Sequence, residues 1–108
     1  MRNSTEYRAR RHYRLRGYRI LGSNVWIGGN ELDLIVRRGQ NLAFVEVKGK
    51  AGTGFGDPLE MVTPEKVRRL RRAASAWRAA NPEHGRCDVR FDVVVERAGK
   101  LERVENAF

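Results

Sequence analysis

Asp33, Glu46 and Lys48 are the residues of this chain whose types and spacing suit chemistry on a phosphodiester. They lie in two runs of β-forming residues, Glu31 to Arg37 and Leu42 to Lys48, separated by Arg38-Gly39-Gln40-Asn41, a segment suited to a hairpin turn. A turn closed by two residues or by four gives the same register: Arg37 faces Leu42, Ile35 faces Phe44, and Asp33 faces Glu46. Directly opposed residues of an antiparallel pair share a face with Cβ atoms roughly 4.5 to 5.5 Å apart, so the two carboxylates stand side by side. Opposed like charges destabilise a hairpin unless something compensates, and Mg2+ or Mn2+ is the obvious compensator. Mg2+ commonly takes one or two carboxylates together with substrate phosphate. Alternation along the second run puts Leu42, Phe44, Glu46 and Lys48 on one face, so Glu46 and Lys48 project together. Two metal ligands, and a cation to orient water or stabilise charge at phosphorus, are what phosphodiester hydrolysis needs. The same register also opposes Glu31 and Lys48, which an ordinary cross-strand ion pair would satisfy. Spacing alone leaves both readings open.

The elements around this hairpin follow from local signals. Asn3 with Glu6 three residues later resembles a capping arrangement and Gly17 is a natural stop, which predicts a first helix from Ser4 to Arg16. Ala9 and Tyr13 give that helix a thin apolar stripe, and Arg8, Arg10, Arg11, Arg14 and Arg16 make it well equipped to meet phosphates. Tyr18 to Trp26 reads as a strand ending at Gly28-Gly29-Asn30, where left-handed backbone would be tolerated. The glycine-rich stretch Gly49 to Gly56 lacks the spacing of a Walker loop and reads as a mobile loop near the site. Thr63 then Pro64 starts a second helix running to about Ala80, with Pro82 beyond it. Val67, Leu70, Ala74 and Trp77 are its core stripe. Val89 to Glu96 is a further strand, Ala98-Gly99 a turn, and Leu101 to Asn106 a last short strand. The expected fold is α/β, one domain over residues 1–108, in the order αβββαβ with a short terminal strand: a mixed β-sheet flanked by helices.

Charge narrows the partner. The chain carries 22 Lys and Arg against 13 Asp and Glu, a formal net charge of +9, which points to a polyanion, nucleic acid being the commonest. Most of the excess is arginine, whose planar donor fork suits phosphate oxygens. Nothing approaches the apolar length of a membrane span. The single cysteine, Cys87, allows no intramolecular disulfide, and with no apolar leader the expected location is the cytoplasm. His12, His84 and Cys87 are too badly spaced for structural zinc, and each histidine reads as a lone surface residue. No Ser-His-Asp or Cys-His nucleophile is in view.

Three blocks carry a family resemblance: Gly29-Asn30-Glu31-Leu32-Asp33-Leu34-Ile35, then Ala43-Phe44-Val45-Glu46-Val47-Lys48, then Arg90-Phe91-Asp92-Val93-Val94 with Asn106-Ala107-Phe108. Together they resemble the YraN-like family of bacterial proteins, itself similar to the PD-(D/E)XK nuclease superfamily that includes the archaeal Holliday junction resolvases. The resemblance implies a restriction-endonuclease-like fold with Asp33, Glu46 and Lys48 as the catalytic set, and Asp33 and Glu46 as the metal ligands. It adds Glu6 as a further acidic residue and Lys66 as a basic residue at the start of the second helix. Leu32 stands where the superfamily has proline, Asn30 where the family has glycine, and Thr5 where glycine would precede Glu6. Asp92 is assigned to structure, pairing with an arginine. The expectation is a Mg2+- or Mn2+-dependent endonuclease acting on DNA, with branched or structured DNA as a candidate substrate and with Arg8, Arg11, Arg14, Lys66 and Arg69 as nucleic-acid contacts. The rivals are a non-catalytic nucleic-acid-binding module on the same fold and a basic protein that meets an acidic protein partner. A homodimer is allowed for.

Overall fold

The computed structural model describes residues 4–49 and 62–108. The elements are α1 (Ser4–Leu15), β1 (Arg19–Ile27), β2 (Asn30–Arg38), β3 (Asn41–Lys48), α2 (Pro64–Ala80), a 3-10 turn at Pro82–His84, β4 (Asp88–Arg97) and β5 (Lys100–Val104). The strands form one sheet in the order β1-β2-β3-β4-β5. Only the β3–β4 pair is parallel, because α2 carries the chain back across the sheet between them. Asn3 and the glycine-rich stretch beyond Gly49 lie outside the described residues.

Each boundary has a local cause. Gly17, at φ 84, ends α1 in a Schellman arrangement, with Gly17 N–H donating to Arg14 O at 3.1 Å and Tyr18 N–H to Tyr13 O at 3.0 Å. Thr63 caps α2 by accepting the Lys66 N–H at 3.2 Å, with Pro64 in the first turn. The β2–β3 turn is closed by two residues, Arg38 pairing with Asn41, and Gly39 takes the positive φ of 60 that this turn requires. The β1–β2 turn uses Gly28 and Gly29 in left-handed backbone, whereas Asn30 is an ordinary first strand residue. Its side-chain type therefore does nothing for the turn.

Both sheet faces are covered. Leu70, Ala73, Ala74 and Trp77 of α2 pack on Leu32, Ile35, Leu42 and Phe44. Ala9 and Tyr13 of α1 pack on the other face with Leu34, Val36, Ala43, Val45 and Val94. Each large aliphatic side chain so buried contributes about 1.5–3 kcal/mol. Leu32 and Ile35 sharing one face, with Leu34 and Val36 on the other, means that strict alternation in β2 breaks beside Asp33. Gly28 is needed for a second reason: a Cβ there would meet Ala73 Cα at 3.1 Å and Ala76 Cβ at 3.2 Å, so the β1–β2 turn sits directly on α2.

Two polar clusters fasten the first helix to the last hairpin. Asp92, fully buried, accepts from Tyr13 OH at 2.6 Å, from Arg90 at 2.8 and 2.9 Å, and from Asn106 N–H at 3.0 Å. This is the structural pairing with arginine that the sequence suggested. Glu96 accepts from Arg8 at 2.8 Å and from Thr5 at 3.2 Å, and Arg8 also donates to Gly99 O at 2.9 Å. Both histidines are half-buried rather than the lone surface residues expected. His12 is half-buried, and His84 stacks on Trp77 at 5.5 Å with Nδ1 2.8 Å from an Arg37 nitrogen, so both rings serve packing.

Candidate active site

The register expected for the central hairpin is the one found: Arg37 opposite Leu42 and Ile35 opposite Phe44. The backbone ladder runs as far as Leu34 and Val45 and stops, one pair short of Asp33 and Glu46. There the Asp33 side chain takes over, Oδ2 accepting the Val47 N–H at 2.9 Å. Glu46 is 4% exposed, and its Oε2 lies 3.1 Å from Lys48 Nζ and 3.4 Å from Lys66 Nζ. A carboxylate this buried needs compensation, and two ammonium groups supply it. Lys66 reaches the site because α2 begins there, on the face that Glu46 and Lys48 share.

Burial pushes the Asp33 carboxyl up to about 7, and the charge of Glu46 acts in the same direction. The Val47 N–H opposes the shift, while a hydrogen bond with Glu46 and the charge of Glu6 add to it. Glu6 arrives from α1 on the opposite side of the sheet. Its Oε2 accepts from Asn24 Nδ2 at 2.8 Å, and the same amide donates to Glu31 Oε1 at 3.0 Å. The charges of Glu46 and Glu6 thus both bear on Asp33 where β2 and β3 part, and Glu31 is held by Asn24 while Lys48 is held by Glu46. That arrangement is not the simple Glu31–Lys48 cross-strand pair.

Asp33, Glu46, Lys48, Lys66 and Glu6 are therefore brought together, whereas the other basic residues are distributed differently. Arg8 is turned inward to Glu96, Arg69 pairs with Glu65 at 2.6 Å along α2, and Arg11 and Arg14 stand exposed on α1. Because α1 and α2 cover opposite faces, their arginines lie on opposite sides of the sheet. Sequence reasoning missed Asn24, which joins Glu6 to Glu31 from a left-handed backbone position at φ 52. Asparagine inside a strand was the available signal, since it tolerates that backbone. Thr5, unexplained by any site role, is buried against Glu96.

The donor set suits a hard divalent cation. Asp33 and Glu46 are close enough to share a proton, and a cation would replace it. Among the described residues no group of three His, Cys, Asp or Glu side chains is gathered for a metal, so phosphate and water oxygens would complete the shell.

A mixed five-stranded sheet between two helices, with acidic residues and a lysine where its central hairpin parts, defines an α/β protein of restriction-endonuclease-like architecture. The chain belongs to the family described as "Uncharacterised protein family UPF0102", whose model matches residues 5–95. It is 41% identical over 114 residues to a UPF0102 protein of Acidothermus cellulolyticus, covering 93% of this chain and 86% of that one. A Frankia alni relative is 45% identical over 87 residues, 81% of this chain and 72% of its own. One from Chlorobium phaeobacteroides is 41% identical over 103 residues, 86% and 81% respectively. No described helix is long and apolar enough to cross a membrane.

Proposed function

We propose that this chain is a Mg2+-dependent endonuclease acting on DNA, with branched or otherwise structured DNA as its substrate. The observation that carries the reading is the pairing of half-buried Asp33 with buried Glu46, with Lys48 3.1 Å from Glu46, an arrangement a hairpin would not keep for stability alone. Asp33 and Glu46 would hold the cation, which when bound polarises a phosphoryl oxygen and lowers the pKa of a water. Lys48 would orient the attacking water, and Lys66 would meet a phosphate oxygen once Glu46 turns to the cation. Glu6, bonded to Asn24, would add to the negative charge that favours a cation. The arginines of α1 and α2 supply sequence-independent attraction to the backbone.

A panel of linear, flapped and four-way DNA incubated with and without Mg2+ tests this. Cleavage that needs Mg2+, and is lost in Asp33→Asn and Lys48→Ala, is the expected result. One observation favours a second reading: Lys48 and Lys66 together already neutralise Glu46. Tight DNA binding with no cleavage of any substrate would make the chain a nucleic-acid-binding module on a nuclease scaffold.

A further inference from the structure

Among the described residues, Tyr7, Leu15 and Trp26 are the large hydrophobic side chains left exposed. Two of them neighbour acidic residues along the chain or across the sheet. Tyr7 follows Glu6 on α1, and Trp26 lies two residues along β1 from Asn24, the partner of Glu6. In the β1–β2 register Val25 stands opposite Leu32 and Trp26 opposite Glu31, which sets Asn24 abreast of Asp33. At about 3.4 Å per strand residue, the Trp26 backbone is ~7 Å further along the sheet. Val25 and Ile27 pack into the α2-side core, so Trp26 leaves the sheet on the α1 side, where Glu6 lies.

We infer that the Trp26 indole is a stacking platform for an unpaired base on the α1 side of the gap at Asp33, so that the substrate carries single-stranded or unpaired nucleotides there. This deepens the proposed function and rests on its nucleic-acid partner. An intact duplex keeps its base faces inside the stack and offers only phosphates and base edges. An indole 71% exposed on a strand gains contact from a base only when that base has left the stack. Stacking of this kind is indifferent to sequence, because every base has a π-face. The competing occupant is a second copy of this chain across the β1 edge. A formal net charge of +9 on each copy opposes that pairing and favours a polyanion.

The two tryptophans make the test direct, because Trp77 is 6% exposed and Trp26 is 71% exposed, so a ligand-induced change in emission reports Trp26. The full chain, in EDTA to prevent turnover, is titrated with oligo(dT) and with a blunt duplex of equal length, for wild type, Trp26→Ala and Trp26→Phe. Oligo(dT) should quench wild-type emission. Trp26→Ala should bind oligo(dT) roughly 5- to 100-fold more weakly with duplex affinity unchanged, and Trp26→Phe should recover most of the loss. Unchanged oligo(dT) affinity in Trp26→Ala, or an equal loss on both ligands, overturns the inference. So does a change from dimer to monomer in sedimentation, which would assign Trp26 to contact between copies. The binding pattern without cleavage of any DNA would remove the nuclease reading and keep this one. Cleavage whose preference between paired and unpaired substrates survives Trp26→Ala would do the reverse.

Discussion

Asp33 accepts the backbone N–H of Val47 at 2.9 Å, just past the point where the β2–β3 ladder has ended at Leu34 and Val45. A side chain replaces a strand carbonyl as the acceptor, so the hairpin can part without leaving that donor unsatisfied. The bond also aims the Asp33 carboxyl at Glu46. Local geometry and candidate chemistry are thus set by one contact.

Asp33 should make stability depend on pH. In the folded chain it keeps its proton up to about 7, against an ordinary value of 3.8 that the unfolded chain would show. Between those values the folded state binds more protons, so this group's contribution is full below about pH 4 and is lost as pH rises through 7. Asp33→Asn, which keeps an acceptor for Val47, should be more stable than wild type at pH 8 without metal, by on the order of 1–2 kcal/mol. The difference should vanish near pH 4. Urea melts of both proteins at the two pH values decide it, and a difference independent of pH would sink the idea.

A divalent cation should reverse that order. Mg2+ at a hundred times its dissociation constant would add about 2.7 kcal/mol to the wild type by mass action. Asp33→Asn and Glu46→Gln should lose this increment, while Lys48→Ala should retain it, because lysine is not a ligand. Thermal melts at rising Mg2+ for the four proteins read it directly. An equal response in wild type and Asp33→Asn would remove the metal site.

The arginines of α1 should separate into two kinds. Arg8→Ala breaks charge-assisted bonds to Glu96 and Gly99 and should cost about 1–2 kcal/mol of stability. Arg11→Ala with Arg14→Ala should leave stability within about 0.5 kcal/mol but flatten the salt dependence of DNA binding, by about 0.9 in log-log slope for each phosphate no longer neutralised. Parallel denaturant melts and salt titrations are the measurement. A salt slope in the double variant equal to that of wild type would take α1 out of the interface.

Asp92 should be a purely structural residue. Asp92→Ala removes the buried acceptor of Tyr13 OH and Asn106 N–H and one of the two carboxylates that pair with Arg90, the other being Glu105, and should cost about 3–5 kcal/mol. Tyr13→Phe, which removes one donor to the same carboxylate, should cost about 1–2 kcal/mol. Neither should alter the Mg2+ increment measured at a temperature where the variant is folded. A missing increment with the fold intact would contradict the assignment.

The hairpin register is legible in the sequence because turns of two and four residues give the same pairing, so an uncertain loop does not move Asp33 relative to Glu46. Thr63-Pro64 marks the start of α2 for an equally local reason. The departure of Leu32 and Leu34 to opposite faces is not legible, since period-two alternation puts residues two apart on one face and the break depends on the strands parting. Arg8 escapes a sequence reading because an arginine on a helix looks the same whether it meets solvent or a glutamate 88 residues away. Lys66 gains its place beside Glu46 only through the docking of α2, a relationship that spacing along the chain does not contain.

The bonds that fasten α1 span 91 residues from Thr5 to Glu96, 88 from Arg8 to Glu96 and 79 from Tyr13 to Asp92. During synthesis α1 consequently waits for these anchors, since loops of that length close only after the β4–β5 hairpin exists. Until then α1, the element that carries Glu6, lacks these anchors. The order of assembly thereby postpones the firm seating of α1 until β5 has been made.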